Sequence, residues 1–299
     1  KNPFTSEGVN GYVKYGQTSQ QAAGVNSFSD YGVRVAHKFN NYFAAKANYT
    51  YMRGTDWFAT NYNGINSANG DEVVGMDRTN PNYNGINVYG DEVSTNIRGV
   101  AQTLERLGIL PNGASALVPS ENISRTGYDE RDLMTYEARS VKFGSSLNYR
   151  PFGDDRFEII WDSKFGVGNT IYQGTNRYNI KNFFMEQHKL EFKGKNFFVR
   201  GYLTSEDAGN SYDTRFAAIN INRSWKDDNT WFGEYTGAYL SGTLGGLNSD
   251  QANQLAIQTV IGAGLLASAS PETPATLREK VTSKGGTTFA ALEVLKEKH

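Results

Sequence analysis

The sequence predicts a mainly β chain: an antiparallel transmembrane-type barrel segment, incomplete at about eight strands, followed by a small α-helical C-terminal segment. Three observations predict it. From Ala138 to Arg223, apolar and polar residues alternate with the period of a strand that has two different faces. The connections between these runs alternate short and long, as in outer-membrane barrels with strands of about 9–11 residues. Beyond Gly246 the composition shifts to Ala, Leu, Ile and Thr, and the apolar spacing becomes helical. A soluble all-β domain with unequal loops shares the alternation, so the order of the connections is what favours a membrane wall.

Composition fits many strands. The chain has 299 residues, 38% hydrophobic and 13% aromatic, enough for a sizeable core in one large or two ordinary domains. Gly numbers 32 against 7 Pro, with 18 Tyr and 17 Phe, which supplies turns and amphipathic rings. A net charge of −1 gives no field to attract nucleic acid, and no nucleic-acid partner is expected. Cysteine is absent, which excludes disulfides, thiol catalysis and Cys-ligated metals. No run of about eighteen apolar residues exists, so no transmembrane helix is expected. A mean hydropathy of −0.56 suits strands that are only half apolar. The opening Lys1-Asn2-Pro3 reads as a processed chain or an internal fragment.

In order, Gly8 to Gly16 is a first short strand and Gln17 to Ser27 a polar loop. Tyr31, Val33, Val35 and Phe39 form an apolar row, Asn40-Asn41 a hairpin turn, and Phe43, Ala45, Ala47, Tyr49 and Tyr51 the returning row. From Arg53 to Tyr136 the alternation disappears. This long loop holds a near repeat, Asn61-Tyr62-Asn63-Gly64-Ile65-Asn66 and Asn82-Tyr83-Asn84-Gly85-Ile86-Asn87, each followed by Gly-Asp-Glu-Val. Two copies are too few for a solenoid. Asp71, Glu72, Asp91 and Glu92 lack the spacing of a calcium loop, so no metal site is expected.

The alternation resumes in Val141, Phe143, Leu147 and Tyr149, turns at Pro151–Asp155, and returns through Phe157, Ile159, Trp161 and Phe165. A long passage to Asn182 precedes strands at Phe183–Phe192, Phe197–Thr204 and Asp213–Arg223. Trp231–Leu240 has spacing compatible with a helix. Leu247–Asp250 supplies cap residues for a helix carrying Ala252, Leu255, Ala256, Thr259, Val260 and Ala263, which Pro271 and Pro274 end. Leu277–Val281 and Thr288–Lys298 read as two further helices. Gly262-Ala263-Gly264-Leu265-Leu266-Ala267 matches a loose dinucleotide fingerprint, but the glycines lie inside a helix, where small residues serve packing; no cofactor is expected. His37, His188 and His299 have no partners at metal or triad spacing, so no catalytic set is expected.

NPNYNGINVYGDEV (Asn80–Val93) and the run SVKFGSSLNYRPFGDDRFEIIWDSKFGVGNTIYQGTNRYNIKNFFMEQHKLEFKGKNFFVRGYLTSEDAGNSYDTRFAAININRSWK (Ser140–Lys226) resemble the barrel of TonB-dependent outer-membrane receptors of the Bacteroidetes type. The resemblance covers about residues 1–245, with the long loop at 53–137. It implies a plugged barrel of about twenty-two strands in the cell outer membrane, with outer-membrane lipid, the TonB system and a nutrient ligand as partners. Only about eight such strands are present, and no plug precedes Lys1.

The tail 247–299 resembles the C-terminal dimerisation domain of pyrroline-5-carboxylate reductase, most specifically in Val281-Thr282-Ser283-Lys284-Gly285-Gly286-Thr287-Thr288. By that resemblance Ser283, Gly285, Gly286 and Thr288 contact the substrate carboxylate through backbone N–H groups and hydroxyls; Lys284 stands where proline is usual. The expected function is a fragment of a receptor for nutrient uptake, joined as a chimera to an incomplete reductase-like tail. That chimera is not an enzyme and is not functional alone. The alternative is a pyrroline-5-carboxylate reductase-related protein of proline biosynthesis.

Overall fold

A computed structural model describes residues 1–174, 176–271 and 276. In chain order the elements are strands β1 (Gly8–Gln20), β2 (Gly24–Lys38), β3 (Phe43–Thr55), β4 (Gly64–Ile65), β5 (Glu72–Val73), β6 (Val88–Tyr89) and β7 (Ser94–Asn96), then helix α1 (Ile97–Arg106). A single 3-10 turn at Ala114–Leu117 precedes β8 (Asn122–Ser124), β9 (Tyr128–Asp129) and α2 (Glu130–Leu133). The long strands β10 (Glu137–Tyr149), β11 (Phe157–Gln173), β12 (Arg177–Gly194) and β13 (Phe198–Asp207) follow, then β14 (Tyr212–Asp213), α3 (Thr214–Trp225), α4 (Asp228–Leu244) and α5 (Ser249–Ala269). The chain forms two compact units. One comprises Lys1–Ala59 with Met134–Thr214, the other Thr60–Leu133 with the chain from Arg215 onward.

The first unit is an eight-stranded sheet in the order β1-β2-β3-β10-β11-β12-β13, with β14 beside β12. All its ladders are antiparallel. It corrects the expected barrel segment. A barrel closes when first and last strands exchange backbone hydrogen bonds, but β1 pairs with β2 and β13 with β12, and they do not pair with each other. The result is a large open antiparallel sheet, with α3, α4 and α5 toward the C-terminus.

The connections differ too. Gln17, Thr18 and Ser19, read as loop, pair with Ser27, Asn26 and Val25, which leaves three residues between β1 and β2. Thr170, Ile171 and Tyr172 likewise pair with Ile180, Asn179 and Tyr178, past a register shift after Gly168. Turns at both ends of these strands are therefore short, and the alternation of short and long connections that favoured a membrane wall is lost. Asp213–Arg223, expected as a strand, is mostly helix α3.

The two faces of the sheet differ sharply. Register places Val33, Tyr49, Phe143 and Phe165 in one row, and Leu147, Trp161 and Leu190 in another beyond the Ser145–Ser163–His188 row, all on the same face. Phe143 and Leu147 are 44% exposed and Trp161 is 56% exposed. On the opposite face Ser146, Asn148, Glu158 and Glu191 are buried. Glu158 accepts hydrogen bonds from Asn2 Nδ2 (2.7 Å), Asn148 Nδ2 (2.6 Å) and Arg150 Nη2 (3.0 Å). A carboxylate loses its water at tolerable cost only when donors replace it, and three residues supply them here.

The second unit holds an apolar core. Ile97, Ala101, Val118 and Ile123 pack with Trp231, Tyr235, Tyr239 and Leu240 of α4 and with Ala252, Ala256 and Val260 of α5. The four-residue spacing of the last three puts them on one stripe of α5. Each fully buried large apolar side chain contributes about 1.5–3 kcal/mol, so this cluster is the main stabilising element of the unit.

Candidate functional site

The C-terminal helix pair is the best-built feature of the helical segment. Asn248 caps α5 reciprocally: its Oδ1 accepts from Gln251 N (2.9 Å), and Gln251 Oε1 accepts from Asn248 N (3.1 Å). Gly246, at φ +88°, supplies the left-handed residue in the turn between α4 and α5. At Gly242 the two helices approach closely, since a Cβ there would lie 3.3 Å from Ala252 Cα and 3.2 Å from Leu255 Cδ2. Tyr235 O–H donates to Asn253 Oδ1 (3.1 Å), and burial pushes that phenol upward. Tyr239 Oη lies 2.9 Å from Ser249 Oγ. Leu255 and Leu266, on α5, are each 42% exposed.

Arg125 anchors the start of α4. It is 2% exposed, its guanidinium carbon lies 5.9 Å from the Trp225 ring centroid and 5.6 Å from that of Trp231, and Nη1 donates to Asp228 Oδ1 (2.5 Å) and Lys226 O (3.0 Å). Nη2 donates to Asn222 O (3.2 Å). Guanidinium planarity suits this combination of ring faces and convergent acceptors.

The sequence-predicted contacts Ser283, Gly285, Gly286 and Thr288 lie outside the described residues, as do the helices expected at 277–281 and 288–298. Gly262, Ala263 and Gly264 sit within α5, and a Cβ on Gly264 would lie 3.5 Å from Trp225 Cη2. A dinucleotide fingerprint needs a strand, a tight turn and a helix opening at the glycines. These residues do not fit that group.

Three polar arrangements lie elsewhere. On the sheet, Asp162, Lys164, Gln187, Lys189 and Arg200 line a cavity of about 220 Å³. Lys189 Nζ lies 2.7 Å from Asp162 and 3.2 Å from Glu191, and Arg200 Nε lies 2.7 Å from Glu191, so this is an ion-pair network with little net charge to draw a ligand. Ser163 Oγ lies 3.0 Å from His188 Nδ1, and Glu186 Oε2 lies 3.7 Å from Nε2. Sequence reading missed this trio because only the cross-strand register opposes Ser163 to His188. The 3.7 Å separation exceeds a hydrogen bond, so the carboxylate does not orient the ring as a triad requires.

The third arrangement is in the Asn-rich repeat. Ile65 N donates to Asn84 O (2.8 Å) and Ile86 N to Asn63 O (3.0 Å), so the copies pair with each other around Gly64 and Gly85. Asp91 beside them is 1% exposed and accepts from Gly85 N (2.9 Å) through Oδ2, while Oδ1 has no hydrogen-bond partner. Burial pushes its carboxyl up to about 7. Among the described residues no group of three or more His, Asp or Glu side chains could hold a metal ion.

Comparison with known proteins places a match in the helical part. The family model described as pyrroline-5-carboxylate reductase dimerisation matches residues 237–299. A pyrroline-5-carboxylate reductase of Pisum sativum is 37% identical over 112 residues, covering 32% of this chain and 40% of that protein. Those of Synechocystis and Pasteurella multocida are 46% and 50% identical over 56 and 52 residues, covering 21% and 19% of their lengths. The chain thus spans less than half the length of the curated relatives it matches. No solved structure matches.

These findings overturn the receptor reading of residues 1–245: the family model and all three relatives point to a reductase. With it go the transport function, the outer-membrane localisation, and outer-membrane lipid, the TonB system and a nutrient as partners. The expectation that the chain is not an enzyme is corrected as well, because the named relatives are reductases. The physical cause of the misreading is that alternation reports a strand with two unlike faces, whatever lies against them. The stretch from residue 237, containing the C-terminal part of α4 and all of α5, is similar to the dimerisation segment of pyrroline-5-carboxylate reductases.

Proposed function

We propose that this chain is a pyrroline-5-carboxylate reductase-related oxidoreductase of proline biosynthesis, with residues 247–299 as its self-association domain. The observation that carries the reading is the family match over 237–299. The α4–α5 pair supports it, with a buried stripe at Ala252, Ala256 and Val260 and exposed apolar residues at Leu255 and Leu266. In this reading Ser283, Gly285, Gly286 and Thr288 hold the substrate carboxylate, hydroxyls and backbone N–H groups meeting its oxygens. Reduction of the cyclic imine draws a hydride from a nicotinamide. Gly262, Ala263 and Gly264, inside α5, do not fit that cofactor.

The test is a nicotinamide oxidation assay on the full chain with pyrroline-5-carboxylate, beside light scattering for its oligomeric state. Turnover, with KM raised about tenfold or more by Ser283→Ala or Thr288→Val, supports the reading; lost charge-assisted hydrogen bonds are worth about 1.5–3 kcal/mol each. No turnover with NADH or NADPH, from a chain that is monomeric at micromolar concentration, would overturn it.

A further inference from the structure

We infer that β13 is a self-association edge, through which two copies of this chain pair antiparallel about a two-fold axis at Leu203. The inference stands apart from the reductase reading and concerns the other unit. All ten residues of β13 are exposed, and among the described residues the strand pairs on one side only, with β12. Its outer backbone N–H and C=O groups form an open template for another strand. β13 contains no proline and no lysine, its register with β12 runs unbroken from Phe184–Asp207 to Lys193–Phe198, and its charges are Arg200, Glu206 and Asp207, of mixed sign.

The sequence of the strand chooses a second copy and fixes the register. A two-fold axis normal to the sheet keeps every residue on its own face, so residues of the same parity oppose each other. With Leu203 opposite itself, Gly201 faces Ser205, Val199 faces Asp207, Tyr202 faces Thr204, and Arg200, whose Nε is held by Glu191 at 2.7 Å, faces Glu206. Symmetry makes the last pair twice. Moving the axis to Tyr202 or Thr204 takes Arg200 away from Glu206. Opposite charges directly across a strand pair are favourable and like charges unfavourable, so this one register matches charge as well as backbone.

The chain has no cysteine, so a single introduced thiol reads the interface in the full-length protein. Opposed Cβ atoms in an antiparallel pair lie about 4.5–5.5 Å apart, near disulfide distance. Leu203→Cys should therefore form a covalent dimer on mild oxidation, whereas Thr204→Cys, offset from its own copy, should remain largely without a cross-link on denaturing gels. In the Leu203→Cys background, Glu206→Arg and Arg200→Glu should each lower the yield several-fold, and an equimolar mixture of the two should restore it as a heterodimer. Matched circular dichroism shows that the variants fold. A Leu203→Cys chain that does not cross-link, a Thr204→Cys chain that cross-links equally well, or a mixture without rescue overturns the inference.

Discussion

Replacing Asp91 by asparagine should flatten the pH dependence of stability in the unit that contains it. The Asp91 carboxyl is 1% exposed, and its folded value of about 7 stands against an ordinary 3.8. Between those values the folded chain holds a proton that the unfolded chain releases. Stability therefore falls as pH rises through this window, and the loss is complete above about 7. Each tenfold in proton affinity is about 1.4 kcal/mol, so the full loss is on the order of 4 kcal/mol. The carboxamide of Asp91→Asn would stay neutral throughout and could still accept from Gly85 N–H. Urea denaturation at pH 4.5 and pH 8, followed by Trp225 and Trp231 in a Trp57→Phe/Trp161→Phe background, reads the correct unit. The parent should lose several kcal/mol more than the variant between the two pH values. Equal slopes for the two proteins, or a parent that gains stability as pH rises, would refute the reasoning.

Arg125→Ala should destabilise the same unit by about 1–3 kcal/mol, since it takes the donor from the Asn222 and Lys226 carbonyls and leaves Asp228 with Arg223 as its remaining ion partner; a midpoint shift worth under about 0.5 kcal/mol would contradict the anchoring role. Asn248→Ala removes one half of the capping box and should cost about 1 kcal/mol in the same assay. Gly242→Val puts a branched side chain where α4 meets Ala252 and Leu255 and should cost about 1–3 kcal/mol. If Gly242→Val leaves stability unchanged, the close helix approach is wrong.

Much of the sheet was legible because alternation survives where the two faces have different surroundings, as in Val141–Tyr149 and Phe157–Phe165. It failed at Gln17–Ser27, where Gln17 pairs with Ser27 and Thr18 with Asn26 on an edge hairpin, and the single Val25, opposite Ser19, makes no hydrophobic row to mark the strand. Ile219-Asn220-Ile221-Asn222 shows the opposite error. Its strict alternation reads as a strand, yet Thr214, Ala218, Ile219 and Asn222 are buried at helical spacing while Ile221 is 43% exposed. Asn222 is buried because its Nδ2 donates to Thr126 O (3.0 Å), a partner that periodicity cannot foresee. The helix over Ser249–Ala269 was readable from its cap and its stripe. The expected substrate contacts came from resemblance alone, since Gly-Gly turns between helices carry no signature of chemistry.

The mutual pairing of the two Asn-Gly-Ile copies has an evolutionary consequence. A segment duplicated in tandem is usually free to diverge, one copy preserving the old role while the other drifts. Here each copy satisfies the other's backbone, Ile65 N donating to Asn84 O and Ile86 N to Asn63 O, while a side chain gained at Gly64 would meet Met76 and one at Gly85 would meet Tyr83 and Val88. Deleting one copy would leave the survivor's amides to water. The pair should be inherited, lengthened or lost together.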